Sequence, residues 1–483
     1  MRRTKIIATL GPATSSREMI RKLINAGIDV ARLNFSHGTH AEQEAMLRAV
    51  RAEADAAGKP VAVLADLQGP KLRTGPLARD APMVELQEGQ RFVLTNEPVE
   101  GTAERVSTNY EPMPRDVRPG DRILVSDGQI QLRVVSTTEH DVITEVIQGG
   151  VLRSRQGINL PGVGLSLRIP TAKDVEDLSF ALDQGVDYIG VSFVQRAGDI
   201  QRIKDLIAQE GYDTPVVAKL EKPEAVDNLD EILRVTDAVM VARGDLGVEL
   251  PPERVPVLQK TIIEHANRAA VPVITATQML ESMMHNARAT RAEVSDVANA
   301  ILDGSDAVML SGETAIGEYP VEAVAMMARI AEEAESTGRR CVPGERDTWA
   351  FTEIESMPQA IGAAVNAIVQ ALPVSAVWVF TRSGSTARLV AHFRPNVPIH
   401  AFTPYEHVCR RLSLLWGVTP LATVYAHDEE GLNKQIRDLV DLRGLAKDGD
   451  IVVLTGGHPI ARGGPTNFLK IMEVTPDRSL LGL

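Results

Sequence analysis

Short apolar runs alternate along this chain with longer stretches in which apolar residues return every three or four positions. The short runs predict buried strands and the longer ones amphipathic helices, and their alternation is the sequence form of parallel strands joined by crossover helices. Ile6 to Leu10 opens the series, followed by Ser15-Ser16-Arg17-Glu18, which reads as a capping box, then Met19, Leu23 and a stop at Gly27. The same order returns at Val30 to Phe35, with a Thr39 to Glu42 box and a stop at Gly58, and again at Val61 to Leu67. After an interruption it resumes at Tyr188 to Val194, Val216 to Glu221, Ala238 to Ala242, Val271 to Thr277 and Ala307 to Leu310. Between the late strands Ile200, Ile203, Leu206 and Ile207 form one stripe, and Thr290 to Glu293 opens a helix bearing Val294, Val297 and Ile301. Eight strand and helix units predict an α/β fold, a closed (β/α)8 TIM barrel.

The interruption, 74–170, is too long for a structureless barrel loop and reads as a domain of its own. Arg122 to Val134 holds an Asp127-Gly128 turn flanked by alternating apolar residues, and Val142 to Ile147 alternates again, so this is a small β domain inserted after strand three. A second boundary falls at Thr337 to Thr348, where Gly338, Pro343, Gly344 and charged residues break the helical pattern. Beyond it Ala376 to Phe380, Ile399 to Phe402 and Ile451 to Leu454 alternate with helical stretches at Ala360 to Gln370 and Leu432 to Leu442. The expected division is a barrel over 1–73 and 171–337, an inserted β domain over 74–170, and a C-terminal α/β domain over 349–483.

Composition narrows the class. A length of 483 residues holds two to four domains. A net charge of −13 argues against nucleic-acid or membrane surfaces as partners, and an aromatic share of 4% points to aliphatic α/β packing. Cys341 and Cys409 are too few for a disulfide framework or a cysteine metal cage, so a reducing, cytoplasmic setting is expected. Neither a signal peptide nor a transmembrane run is expected.

In barrels of this type catalysis sits at the C-terminal strand ends. Those ends carry Arg32, Asn34 and Ser36; Asp66 and Arg73; Ser192; Lys219 and Glu221; Arg243 and Asp245; Thr277; Ser311 and Glu313. The set mixes carboxylates for a hard divalent cation with cations for phosphate and a glycine turn offering N–H groups. Lys219 and Glu221, two apart on a strand, both face inward; they suit oxyanion stabilisation beside a metal, or equally a structural ion pair. Arg243-Gly244-Asp245-Leu246-Gly247 reads as a glycine turn that lets N–H groups approach an anion, or as an ordinary tight turn. Arg32 and Arg73 could clamp a phosphoryl group or lie at the surface. Thr275-Ala276-Thr277-Gln278 either offers a hydroxyl or closes a strand. No P-loop, G-x-G-x-x-G or H-E-x-x-H occurs, so a nucleotide would bind at the barrel rim.

Taken together, Thr4 to Pro12, Ala31 to Gly38, Val241 to Leu250, Ile274 to Ser282, Thr290 to Gly304 and Met309 to Thr314 closely resemble the pyruvate kinase family, in order from Thr4 to about Glu473. The resemblance implies phosphoryl transfer from phosphoenolpyruvate to ADP, giving pyruvate and ATP. It implies Glu221 and Asp245 as ligands of Mg2+ or Mn2+, Lys219 as neutraliser of the phosphoryl and the enolate, and Arg32 and Arg73 as holders of phosphoryl oxygens. It also implies Gly244 and Asp245 N–H groups with the Thr277 hydroxyl at the substrate carboxylate, and Asn34, His37 and Lys173 at the nucleotide side. The inserted domain would act as a lid, and a homotetramer is the implied assembly. One departure stands out. Family members that need K+ carry a Thr-Lys pair after the strand-three Asp and a Glu a few residues on. Here the sequence is Asp66-Leu67-Gln68-Gly69-Pro70-Lys71. Leu67 lacks the hydroxyl oxygen and the Lys71 ammonium can replace the cation, so K+-independence is expected although Asn34, Ser36 and Asp66 remain.

In the C-terminal domain Thr381-Arg382-Ser383-Gly384-Ser385-Thr386 follows a strand and opens a helix. It reads as a phosphate cradle or an uncomplicated N-cap, and the resemblance implies an allosteric phosphorylated effector there, with Thr455 to Gly464 closing over it. Two other readings compete: a metal-dependent barrel aldolase or lyase acting on pyruvate, and a catalytically silent regulatory protein that binds a sugar phosphate.

Overall fold

The computed structural model describes residues 2–79, 82–126, 128–164, 166, 169–336, 354, 356–423, 444–457, 464–474 and 480–482. Asp127, Cys341, the boundary at Thr337 to Thr348, the helix expected at Leu432 to Leu442 and residues 458–463 of the late loop lie outside them.

Eight parallel strands close into a barrel in chain order: Lys5–Thr9, Val30–Asn34, Ala62–Asp66, Tyr188–Val191, Val216–Leu220, Ala238–Ala242, Val273–Ala276 and Ala307–Leu310. Alternation within each strand sets its two faces. Ile7, Val30, Leu64, Val217, Met240, Ile274 and Met309 pack together inside the barrel, while Ile6, Ala8, Val63, Val216 and Ala218 pack outward against the helices. Stepping by two from the inward set places Thr9, Arg32, Asp66 and Lys219 on the inner face at the C-terminal rim. The expected capping boxes form at Thr39 with Glu42 and at Thr290 with Glu293, and Gly27, Gly58 and Gly304 end their helices in the left-handed conformation. The first helix, Arg17–Ala26, differs. Ser16 alone caps it by accepting from the Met19 N–H, and Glu18 lies in the first turn, where it pairs with Lys22 at 2.8 Å.

Between strand three and the helix Ala172–Asp183 the chain builds a six-stranded sheet and a two-stranded one around their own core of Phe92, Leu94, Ile123, Ile130, Leu132 and Val146. The expected hairpin is present as Arg122–Val125 against Ile130–Thr137. The C-terminal sheet also has six strands, in the order Val418–Ala422, Ile399–Thr403, Val374–Phe380, Ile451–Gly456, Phe468–Val474 and Leu480–Gly482. The architecture is therefore a TIM barrel with an inserted β domain and a C-terminal α/β domain. The last of these docks on the floor of the barrel: Leu414 joins the barrel-interior cluster, and the Tyr188 hydroxyl donates to the Arg411 carbonyl at 2.7 Å.

Candidate active site

At the rim four charged side chains from three strands meet. Arg32 donates through Nε to Asp66 Oδ2 at 2.7 Å, and its Nη2 lies 2.6 Å from the same oxygen. Lys219 Nζ lies 3.1 Å from Asp66 Oδ1 and 2.8 Å from Glu221 Oε1, and donates to Ser192 Oγ at 2.7 Å. Asp66 is 1% exposed and Glu221 2%, so these are buried charges held by one another. Asp66 Oδ1 has no well-angled hydrogen bond although the ammonium is near, so its contact with Lys219 is an ion pair by charge.

The electrostatics follow from that packing. Burial alone would lower the Lys219 ammonium, but the carboxylates of Asp66 and Glu221 outweigh it and hold the group above the usual lysine range. Burial would raise Asp66; Lys219 and Arg32 reverse this and hold it below the usual range. Glu221 goes the other way, raised first by burial and further by the charge of Asp245, with Lys219 opposing. Lys71 is lowered by burial and by its neighbours Lys219 and Arg73, with Asp245 and Asp66 drawing it back. The exposed His37 imidazole is lowered by burial of part of its ring and by the charges of Lys71, Arg73 and Arg32. Arg73 thus belongs electrostatically to the cluster, while its Nη1 donates to the Arg155 carbonyl in the inserted domain at 3.4 Å.

The backbone supports this set by unusual conformations. Phe193 sits at φ +59° and turns its N–H onto Glu221 Oε2 at 2.8 Å. Gly69, at φ +66°, lies where a Cβ would come within 2.8 Å of both Ser192 Cβ and the Phe193 ring, and its N–H donates to the buried Asp174 carboxylate at 2.9 Å. Thr277, at φ +70°, accepts the Gly244 N–H at 2.7 Å through its hydroxyl and donates to the Ala276 carbonyl at 2.6 Å.

Several expectations change in detail. The expected glycine turn at Arg243 to Gly247 is the first part of a seven-residue helix, Arg243–Glu249, because the chain continues in helical geometry directly from strand six. Arg243 is held by protein groups: its Nη2 donates to the Thr277 carbonyl at 2.8 Å and its Nη1 pairs with Asp296 at 2.8 Å. Glu313 is buried and accepts the N–H groups of Leu280 and Ser311, a structural use of a carboxylate. Asn34 accepts the Ser36 N–H at 3.0 Å. Lys173 donates to the Phe35 carbonyl at 3.2 Å and pairs with Asp177, which His40 also meets at 2.7 Å. Leu67 is 2% exposed and turns only its backbone carbonyl toward Ser192, at 2.8 Å. Sequence reasoning missed Thr9, whose hydroxyl accepts from Arg32 Nη1 at 2.9 Å; alternation from Ile7 marks it as inward-facing. It also missed Phe193, for which the sequence carries no signal.

In the C-terminal domain Thr381 accepts the Gly384 N–H at 2.9 Å, and Gly384, at φ +90°, starts the helix Ser385–His392 with no side-chain cap. Thr386 bonds Thr466 at 2.7 Å, and the Arg382 guanidinium lies 5.1 Å from the centroid of the Tyr405 ring.

Comparison with known proteins gives a consistent result. Residues 1–324 match the family model for the pyruvate kinase barrel domain, and 359–472 match that for the pyruvate kinase alpha/beta domain. The chain is 48% identical over 483 residues to pyruvate kinase 2 of Synechocystis sp., covering 100% of this chain and 80% of that protein. It is 44% identical over 475 residues to a pyruvate kinase of Staphylococcus aureus, covering 98% and 80%. The crystal structure of a pyruvate kinase from Cryptosporidium parvum matches with a TM-score of 0.91 at 35% identity, over 98% of this chain and 96% of that one.

Proposed function

The chain belongs to the pyruvate kinase family, and from that premise we propose how its residues divide the transfer of phosphoryl from phosphoenolpyruvate to ADP. The observation that carries the reading is the meeting of Arg32, Asp66, Lys219 and Glu221 in one buried network at the barrel rim. Phosphoryl transfer needs positioning and charge neutralisation more than a covalent nucleophile. Lys219 keeps its proton because Asp66 and Glu221 surround it, so a full positive charge faces the phosphoryl group and the enolate that forms as it leaves. Arg32, oriented by Asp66 and Thr9, and Arg73 hold phosphoryl oxygens. The N–H groups of Gly244 and Asp245, with the Thr277 hydroxyl, hold the substrate carboxylate, Gly244 and Thr277 exchanging for it the bonds they make to one another and to the Ala276 carbonyl; Asn34, His37 and Lys173 serve the nucleotide side.

The family is metal-dependent, and Glu221 and Asp245 fit a hard divalent ion. Their mutual repulsion helps raise Glu221, which a cation would relieve. Among the described residues no group of three or more His, Cys, Asp or Glu could hold a metal. Two carboxylates with the remaining shell from substrate and water suit Mg2+, or Mn2+, which when bound would neutralise phosphoryl oxygens.

The same proposal includes a catalytic barrel over 1–73 and 171–337, a lid over 74–170 that excludes water from the nucleotide, and a regulatory domain over 349–483. The loop from Thr381 to Thr386 takes a phosphorylated effector, favoured by an uncapped helix start beside Arg382. Lys71 stands in for K+. No helix of the described residues is long and apolar enough to cross a membrane; cytoplasmic location and a homotetramer complete the proposal.

A coupled assay of pyruvate release from phosphoenolpyruvate and ADP, with Lys219→Met as control, tests the reading. The expected result is ADP-dependent activity in the parent and a loss of about 10^2-fold or more in kcat for the variant, of the order seen when one electrostatic stabiliser is removed. Full activity in a folded Lys219→Met protein, or aldol cleavage without ADP, would overturn it.

A further inference from the structure

Lys222 and Glu249 form an ion pair that the reaction outlined above does not use. Lys222 Nζ lies 2.5 Å from Glu249 Oε1, and the two side chains are 5% and 2% exposed. An apolar pair of similar volume would hold a fold at least as well as two buried charges, so stability alone does not account for the pair. Among the described residues Glu249 Oε2 is buried without a hydrogen-bond partner, a further standing cost.

The position of the pair is informative. Lys222 directly follows Glu221, and its ammonium lies 5.8 Å from the centroid of the Phe193 ring, the residue whose N–H holds Glu221 Oε2. Glu249 closes the helix Arg243–Glu249, whose first turn carries Asp245. One ion pair therefore ties together the two segments that bear the carboxylates. A third segment joins at the same oxygen: Asn159 Nδ2 donates to Glu249 Oε1 at 3.3 Å, and Asn159 ends the strand Ile158–Asn159 at the edge of the inserted six-stranded sheet.

We propose that the buried Lys222–Glu249 pair is a positioning device that sets the spacing of Glu221 and Asp245 and ties it to the inserted domain through Asn159. The inference rests on reading Glu221 and Asp245 as ligands of a divalent cation. Neither Lys222 nor Glu249 touches the reacting atoms; both act through the groups beside them.

The test is Mn2+ binding to the full-length protein without substrates, followed by the electron paramagnetic resonance signal of free Mn2+. Glu249→Gln strands a buried ammonium and could unfold the chain, so Lys222→Met/Glu249→Gln, which removes both charges, is measured beside it, with thermal unfolding recorded for each. The expected result is a folded double variant that binds Mn2+ about tenfold more weakly than the parent. A folded double variant binding within twofold of the parent overturns the positioning role, since a purely structural pair lowers thermal stability without moving metal affinity. Asn159→Ala should weaken binding about threefold in the parent and have no effect in a Lys222→Met/Glu249→Leu background, which leaves no acceptor for the Asn159 amide; equal effects in both backgrounds overturn the tie to the inserted domain. Glu221→Gln separates the two readings. Loss of Mn2+ binding in that variant, with unchanged binding in the double variant, rejects the device alone, whereas retained binding in Glu221→Gln rejects the metal reading beneath it.

Discussion

Lys71 carries the one residue-scale expectation that departs from family members requiring K+. Its ammonium is lowered by burial, Lys219 and Arg73, and is drawn back by Asp245 and Asp66, so it lies in the field of Asp66, one of the groups expected at a monovalent-cation position. Leu67 offers a buried isobutyl side chain in place of the hydroxyl that members requiring K+ are expected to carry. Activity in K+-free buffer should therefore stay within a few-fold of that with KCl, of the order expected from screening alone. Lys71→Ala should lose activity in K+-free buffer and recover part of it on adding KCl; activation of the parent by tenfold or more would sink the substitution idea. Much of this site was legible at the same scale. Arg32, Asp66 and Lys219 follow from strand alternation at the rim, because a period of two fixes which side chains face inward. What each then bonds to was not legible. Arg243 reads as a rim cation, yet it is committed to the Thr277 carbonyl and Asp296, contacts made across 34 and 53 positions of chain. Glu313 likewise reads as a rim carboxylate and serves the Leu280 and Ser311 N–H groups.

Among the elements, those with their own end signals were read most accurately. The Thr39 and Thr290 boxes and the Gly27 and Gly58 stops are local chemistry, so these helix ends appear where expected. Elements fixed by distant pairing were missed. Val418–Ala422 contains Thr419 and Pro420, which break the apolar run, but the strand lies at the sheet edge, where a proline is tolerated. Phe468–Val474 carries Lys470 and Glu473 and is strand because it pairs antiparallel with Ile451–Gly456. Gly69 shows what a loop conformation holds in place. Its φ of +66° and the 2.8 Å approach to Ser192 and Phe193 leave no room for a methyl group. Gly69→Ala should cost about 1–3 kcal/mol of stability and lower activity by displacing the Phe193 N–H from Glu221. A variant with the parent's denaturant midpoint and kcat would contradict this. In the strand Ile399–Thr403, burial pushes the His400 imidazole from 6.5 down to about 4, with Nδ1 buried and without a partner among the described residues. The unfolded chain takes up a proton that the native state refuses, so stability present above pH 6.5 is lost as the pH falls toward 4. One such group amounts to about 2 kcal/mol by pH 5. Urea midpoints at pH 7 and pH 5 should fall further in the parent than in His400→Gln; parallel falls would show that His400 is not the cause.

For the molecule as a whole, the Thr381 to Thr386 loop proposed for an effector and the rim network lie on separate domains, and within one chain those domains meet at the floor of the barrel. One carboxylate at that floor meets cations from both domains. Asp187, 1% exposed, accepts from Arg51 Nη2 and the Val63 N–H at 2.8 Å through one oxygen, and from Arg410 Nε at 2.9 Å through the other. Arg51 belongs to the barrel helix His40–Ala57 and Arg410 to the C-terminal helix Glu406–Arg411, so Asp187 neutralises a cation from each body. Arg394 adds a second tie, 3.1 Å from Asp306 at the foot of strand eight. Removing the shared anion leaves two guanidinium groups facing each other across a buried contact, a change that costs about 3–5 kcal/mol when a buried pair is broken. Asp187→Asn keeps the shape while deleting the charge and turning an NH2 onto one of the donors, so its effect reports on the polar contacts of Asp187 and not on packing. Calorimetry should then show the C-terminal domain melting apart from the barrel, with the parent expected to melt in one transition. Because the rim network of Arg32, Asp66, Lys219 and Glu221 lies at the opposite end of the strands, kcat without effector should change less than threefold, while any response to a phosphorylated effector should be lost. A single unshifted transition with an intact effector response would mean that the two bodies communicate by another route.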